Sequence, residues 1–338
     1  MPKRRDRYRY KNKKINWIKK IIITLLFLIS AIVPIFISYT FVTTKNSVDN
    51  MFKESKATTT QNKIETLKAD GSETKVSILL MGLDNDSERN LGSTRSDSLI
   101  YLVYDGENKQ LQMVSLPRDI YTDIYDGKGN IVNQGKINSA YSVNEEDSTI
   151  ETVSNFLDLP VDYYVTVNFI SFKKIIDAVG GIDVNVPYNI NSEYANDNSG
   201  ALLIPEGNQH LNGEQALIFS RIRKVDDDIQ RGNRQQEVIK ATIKSALSIN
   251  SIAKYQDILK AVDGNIKTNL TFNNLTQLAG NMLNNFEINT NTFEWSSGYV
   301  GDASVVYIDQ NSYSEIRNIL LQSLGLPDDY TNKDDSIN

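Results

Sequence analysis

Val76-Ser77-Ile78-Leu79-Leu80-Met81-Gly82 decides the fold. An apolar run of strand length, closed by a glycine, reads as a buried β-strand. Outward from it, Leu99–Tyr104 and Leu111–Leu116 repeat the pattern, and Asp105-Gly106-Glu107-Asn108 joins them as a hairpin. Tyr163–Val167 is a fourth strand. Phe169–Val179 has helical spacing and stops at Gly180-Gly181, after which Ile182–Val186 is a strand ended by Pro187. Asn212-Gly213-Glu214 opens a short helix reaching about Phe219, and Gln235–Ile249 is an amphipathic helix. Ile252–Val262 and Phe272–Leu283 also have helical patterns, Thr292–Trp295 and Val305–Ile308 are late strands, and Ser312–Leu324 is a final helix stopped by Gly325 and Pro327. This alternation over 75–324 predicts one α/β domain with a central mixed β-sheet covered by helices. No internal repeat is present.

Ahead of that domain the composition changes. The first twenty residues hold ten Lys or Arg (Lys3, Arg4, Arg5, Arg7, Arg9, Lys11, Lys13, Lys14, Lys19, Lys20) and one acid, Asp6. The next 24 residues, 21–44, carry no charge, and about 20 apolar residues suffice to span a bilayer as a helix. Ser38-Tyr39-Thr40 is too bulky at its centre for a signal-peptidase site, so the run reads as an anchor. A basic flank stays in the cytoplasm, which predicts a cytoplasmic tail over 1–20, a transmembrane helix over 21–44 and an extracytoplasmic remainder. Residues 45–74, polar with Thr58-Thr59-Thr60, read as a stem. The polar residues 325–338 read as a disordered tail.

Charge and composition exclude several functions. The chain has 36 basic and 42 acidic residues. Setting the first twenty residues apart leaves 26 basic against 41 acidic side chains, a net of −15 over 21–338. So acidic an exterior domain is a poor partner for nucleic acid, and an anionic ligand there needs a local cluster of cations or a metal. With no cysteine, thiol catalysis, disulfides and zinc-thiolate sites are excluded. A cysteine-free exterior domain suits the wall of a Gram-positive-type cell.

Candidate chemistry gathers at the strand ends, where α/β sheets hold ligands. Gly82-Leu83-Asp84 closes the first strand, and Thr94-Arg95-Ser96-Asp97 leads into the second. Asp84 and Asp97 could face one another there as a magnesium site; alone, either Asp is also ordinary turn or cap chemistry. Ser115-Leu116-Pro117-Arg118-Asp119 brings Arg118 to the same rim, and Lys136-Ile137-Asn138 adds another cation. The densest cluster runs from Ser220 to Gln235, with Arg221, Arg223, Arg231 and Arg234 among Asp226, Asp227 and Asp228. Arg forks bind phosphate oxygens bidentately, and a cation near a helix start opposes the helix dipole, a sacrifice that tends to mark function. The plain alternative is an Arg–Asp salt-bridge cluster. The one histidine, His210, sits in a polar loop with no nucleophile triad around it and reads as a bystander.

In this order, Gly82-Leu83-Asp84, Thr94-Arg95-Ser96-Asp97, Ser115-Leu116-Pro117-Arg118-Asp119, Lys136-Ile137-Asn138, Val179-Gly180-Gly181-Ile182, Leu211–Leu217 and Arg221–Gln235 resemble the LytR–CpsA–Psr family of cell-wall glycopolymer ligases, most of all its teichoic-acid-attaching members. The resemblance covers about 75–250. It implies that Asp84 and Asp97 hold Mg²⁺, or Mn²⁺ in its place. It implies that Arg95, Arg118, Arg221 and Arg223 grip a polyprenyl-linked pyrophosphate, with Lys136, Arg234 and Gln235 close by. The implied reaction moves a glycosyl-phosphate from the lipid carrier to a peptidoglycan hydroxyl. Asp119, Asp226 and Asp228 are candidate proton acceptors, with Asp228 favoured. The carboxylate pair argues against a non-catalytic scaffold binding the same polymer. A lipid pyrophosphatase, in which water is the acceptor, has the same residues and stays open.

Overall fold

The computed structural model describes residues 42–57, 75–83, 95–192, 202–222, 228–248, 258, 266–271, 273–275, 277–278 and 286–332. The chain divides into two units, Met1–Ser47 and Val48–Asn338. In the first, residues 42–47 are helical. Residues 21–41 of the expected span lie outside the described residues, and among the described ones no helix is long and apolar enough to cross a membrane.

The second unit is built on a six-stranded mixed sheet. Its strands are β1 (Lys75–Leu83), β2 (Ser96–Asp105), β3 (Gln110–Leu116), β6 (Tyr163–Asn168), β11 (Ile266–Thr268) and β12 (Glu287–Thr292), in the order β11-β6-β1-β2-β3-β12. Four two-stranded ribbons surround it: β4 (Tyr121–Tyr125) with β5 (Ile131–Lys136), β7 (Ile182–Val186) with β10 (Gly207–Leu211), β8 (Ile190–Asn191) with β9 (Leu202–Ile204), and β13 (Trp295–Val300) with β14 (Ala303–Ile308). The helices are α1 (Tyr141–Leu157), α2 (Phe169–Val179), α3 (Gly213–Arg221), α4 (Asp228–Leu247) and α5 (Gln310–Leu324).

Period-2 alternation gives the sheet two apolar faces. Leu79, Met81, Tyr101, Val103 and Val114 point to one face and pack with Ile150, Val153 and Leu157 of α1 and with Ile316, Leu320 and Leu321 of α5. Val76, Ile78, Ile100, Leu102, Tyr104 and Met113 point to the other, towards Ile239 and Ile243 of α4. A third cluster ties α2, α3, β7 and β10 together through Ile176, Ile182, Val184, Phe219 and Leu211, with Val238 of α4 beneath it. Each such fully buried aliphatic side chain contributes roughly 1.5–3 kcal/mol.

Four strands share one direction. β6 pairs parallel with β1, and β12 pairs parallel with β3. β2 is antiparallel to both of its neighbours, so β1 and β3 also run alike. The carboxyl ends of β6, β1, β3 and β12 and the amino end of β2 therefore meet on one rim, where open α/β sheets hold ligands.

Several expectations need correction. The expected strand Thr292–Trp295 is the break between β12 and β13, with Phe293 buried there. Helix α4 begins at Asp228 and not Gln235: the polar run Gln230–Arg234 with Gly232, a weak helix former, hides its first turns from apolar patterning. The β4–β5 hairpin and α1 carry many polar residues and were hidden from apolar patterning; β5 is exposed along most of its length. The stem over 45–74 is not all free of the domain: Phe52 bridges Thr268, Lys53 N–H donates to Thr268 O (2.8 Å) and Ser55 Oγ to Asp147 Oδ1 (2.5 Å). Nor does disorder start at 325. Asn332 N–H donates to Asp158 Oδ1 (2.8 Å), and Arg317 Nη2 donates to Tyr330 O (2.6 Å), so the chain is packed through 332. Of the helices expected over 252–262 and 272–283, residues 258, 273–275 and 277–278 are helical and the others lie outside the described residues.

Candidate active site at the carboxyl rim of the sheet

Asp97 sits at an irregularity in the β1–β2 ladder: Gly82 pairs with Ser98 and Leu83 with Ser96, so Asp97 is the extra residue of a bulge. Bulges re-aim side chains. Arg118 follows β3 through the rigid Pro117, and its Nη1 donates to Asp97 Oδ1 at 2.8 Å. Its Nε lies 3.6 Å from Asp119 Oδ2, and Lys136 Nζ lies 2.8 Å from Asp119 Oδ1. The turn is fixed by its backbone: Ile120 N–H donates to Pro117 O, Asn138 N–H to Arg118 O and Val306 N–H to Asp119 O. Two cations and two carboxylates, contributed by three segments, form one partly exposed cluster.

This cluster borders a narrow cleft lined by Asp97, Ser115, Arg118, Gln235, Thr292 and Trp295, with α4 contributing Arg231 and Gly232 as well. Room at its centre is ≈ 20 Å³, enough for about one water. Gln235 accepts from Ser98 Oγ at 2.8 Å, and Asn233 accepts from Thr292 Oγ1 at 2.8 Å, which pins α4 to the rim.

The other predicted residues separate into distinct roles. Arg221 ends α3, is exposed, and lies over the Phe169 ring, 4.3 Å from its centre. Phe169 follows Asn168, the partner of Leu83 in the β1–β6 ladder, so Arg221 stands beside the end of β1. Arg95 is exposed at the head of β2. Arg118 and Arg221 are thus on one rim, anchored at strands three places apart, roughly 14 Å at ~4.8 Å per strand. Arg234 is turned inward: Nε donates to Phe219 O (3.0 Å) and Nη2 to Ile222 O (2.6 Å), with Nη1 3.4 Å from Tyr188 Oη. It caps the carbonyl end of α3, the helix that Arg221 ends; it does not face the cleft as expected. Asp84, Arg223 and Asp226 lie outside the described residues, and Asp228 is the first residue of α4.

His210 spans two acceptors, Asp183 Oδ1 at 2.8 Å and Gly180 O at 2.9 Å. The Asp183 hydrogen bond, then that of Gly180, raises its pKa above the usual histidine value. It staples the end of α2 to β7 and β10, away from the rim. Sequence reading missed Ser98, Ser115, Gly232, Thr292 and Trp295. Small and neutral, most of them carry no chemical signal until the sheet brings them together.

Fold and site together are those of an α/β domain whose mixed sheet gathers two cations and two carboxylates at its strand ends. The chain belongs to the LytR_cpsA_psr family, which matches residues 38–322. It is 40% identical over 242 residues to the polyisoprenyl-teichoic acid–peptidoglycan teichoic acid transferase TagU of Bacillus mycoides (strain KBAB4), covering 70% of this chain and 74% of that one. It is 36% identical over 263 residues to TagV of Bacillus subtilis (strain 168), named for the same transfer, covering 75% of this chain and 65% of that one. Among solved structures it is similar to B. subtilis TagV (TM-score 0.64, 34% identity, 75% of this chain and 99% of that one). It is also similar to TagT bound to LIIa-WTA (TM-score 0.65, 27% identity, 75% of this chain and 92% of that one).

Proposed function

We propose that this chain is a membrane-anchored phosphotransferase that moves a wall glycopolymer, teichoic acid or a similar anionic polymer, from a polyprenyl-pyrophosphate carrier to peptidoglycan. The observation that carries the reading is Arg118, held at the cleft between Asp97 and Asp119 in an otherwise acidic domain. Kinship to relatives named for the same transfer supports it. Phosphoryl transfer rests on positioning and charge neutralisation, which is what a rim of arginines supplies. Arg118, Arg221 and Arg223 grip the pyrophosphate, with Arg95, Lys136 and Gln235 along the rim. A peptidoglycan hydroxyl oxygen attacks the phosphorus nearer the glycan. Its bond to the bridging oxygen breaks, polyprenyl phosphate leaves with that electron pair, and a phosphodiester remains. The hydroxyl proton passes to a carboxylate. Asp119 is engaged by Lys136 and Arg118; Asp228 is the acceptor we propose.

Mg²⁺, or Mn²⁺, is proposed between Asp97 and Asp84. Asp97 fits the role as a hard, partly exposed oxygen donor on the cleft wall. Mg²⁺ takes one or two carboxylates and completes its shell with phosphate and water. Bound there, it would neutralise charge on the pyrophosphate oxygens.

Residues 1–20 are proposed to be cytoplasmic, 21–44 to span the membrane, and the domain to face outward. Protease added to intact protoplasts should then digest the domain; full protection would overturn the orientation. The reaction is tested with the full chain, a lipid-linked polymer donor, peptidoglycan and Mg²⁺. A polymer–peptidoglycan phosphodiester supports transfer, whereas polymer phosphate released to water identifies a pyrophosphatase.

A further inference from the structure

Across the Pro117–Ile120 turn from the cleft lies a second concavity of ≈ 280 Å³, whose walls include Tyr121, Phe156, Tyr307, Gln310 and Tyr313. None of its eight lining residues is charged. Tyr121 and Tyr307 meet edge to face, with centroids 6.4 Å apart at 67°, and Phe156 and Tyr313 do the same at 5.9 Å and 75°. Tyr307 is 44% exposed. Its ring lies over Gly298 on the neighbouring strand, where a Cβ would come within 2.6 Å of Cε2. The bare glycine thus seats the ring against the β13–β14 ribbon.

We propose that this groove is a saccharide subsite, holding the glycan strand of the acceptor beside the reacting phosphorus. The proposal rests on the transfer reaction above. A pyranose ring offers an apolar C–H face edged by hydroxyls, and tyrosines offer an apolar ring face with a polar tip. An uncharged lining suits a neutral sugar, while the anionic donor is left to the arginine rim. Position is the second argument. Arg118 lines the cleft and Ile120, two residues on, lines the groove. Trp295 lines the cleft, and its cross-strand partner Ile308 lines the groove. Such partners are about 4.5–5.5 Å apart, so a sugar in the groove presents its hydroxyls next to the cleft.

The test uses the full chain in nanodiscs and a soluble, neutral tetrasaccharide of alternating N-acetylglucosamine and N-acetylmuramoyl units whose lactyl carboxyls are amidated. Saturation-transfer NMR and titration read binding to the wild type and to Tyr307→Ala, Tyr307→Phe, Tyr121→Ala and Gly298→Ala. The alanine variants of both tyrosines should weaken the tetrasaccharide about tenfold or more, and Tyr307→Phe should retain it. Gly298→Ala should weaken it too, by displacing the Tyr307 ring, with the melting temperature nearly unchanged. Donor affinity should stay at the wild-type level throughout. Equal tetrasaccharide affinity in wild type and Tyr307→Ala, with donor still bound, overturns the groove and leaves the transfer reaction standing. A wild-type chain that binds no polyprenyl-pyrophosphate donor overturns the transfer reaction, and the acceptor role of the groove with it.

Discussion

Two regions of the domain hold the same inventory, two cations and two carboxylates, and use it differently. At the rim, Arg118 and Lys136 face Asp97 and Asp119. At the sheet edge, Lys53 and Lys267 face Glu145 and Glu146, with all four contacts between 2.8 and 3.1 Å. The edge cluster joins segments far apart in sequence. Around it Lys53 N–H bonds Thr268 O, Tyr164 Oη donates to Lys53 O, and Glu146 is 2% exposed. It closes over a kink in α1, where Glu145 holds φ 48°, a conformation costing a non-glycine residue about 1–3 kcal/mol. The rim cluster instead borders the narrow cleft at the strand ends. Exposure does not separate the two clusters, since Lys53, Lys267 and Glu145 are more exposed than Asp97 and Arg118; the cleft that Asp97 and Arg118 line does. Whether ion pairs are structural or functional is decided by what lies beside them: packed backbone at the edge, a cleft at the strand ends at the rim.

Substitutions can break this contrast. Arg118→Ala should lower transfer by ~10²–10³-fold, the usual loss of a preorganised charge-stabilising donor, and Arg118→Lys by ~10- to 150-fold, because the fork is lost. Both should melt within a few degrees of wild type; a large stability loss with unchanged donor affinity would make the rim a salt-bridge cluster like the edge. Arg234→Met should behave in the opposite way. It strands the carbonyls of Phe219 and Ile222, at about 1–3 kcal/mol each, and denaturant unfolding should show that loss. If Arg234→Met keeps its stability and loses only donor binding, the inward arginine belongs to the site after all.

The edge gives smaller effects. Glu146→Gln should cost about 1–3 kcal/mol of stability by weakening two ion pairs to a buried carboxylate, and leave the donor affinity of the folded protein intact. A fall in donor binding without destabilisation would couple the two regions. Acid should act on the edge as well. Hydrogen bonds from Lys53, then Lys267, hold the Glu145 carboxyl down at about 2, against 4.5 for a free glutamate. A depressed carboxylate contributes stability above its unfolded pKa and loses it as pH falls towards the folded one. Melting temperature should therefore fall modestly between about pH 4.5 and pH 2 through this group, and less in Lys53→Met; both side chains are largely solvated, so screening keeps the effect small. An identical acid slope in Lys53→Met would remove this pair from the account.

Apolar periodicity was sufficient for β1, the β2–β3 hairpin, β6, α2 and β7, because each buries a continuous face whose spacing is written along the chain. Capping residues placed α3 and the end of α5: Asn212 accepts from Gln215 N–H as the N-cap, and Gly325 closes α5 at φ 66°. The order of motifs was enough for the family. The β4–β5 hairpin and α1 stayed hidden because polar residues on an exposed ribbon and a kinked helix have no strong period. Arg118 and Lys136 were legible as cations at the ends of elements, and their carboxylate partners were named among the candidates. Tertiary structure alone decided that Arg118 and Arg231 line the cleft and which other arginines are exposed or turned inward. Arg221 and Arg234 look alike in sequence, yet one ends α3 over Phe169 and the other is buried against that helix's carbonyls. Direction depends on how α4 packs against α3 and the sheet. That packing is set by contacts between residues tens to more than a hundred positions apart, such as Gln235 with Ser98 and Gly232 with Ser115, and no local pattern in the chain records them.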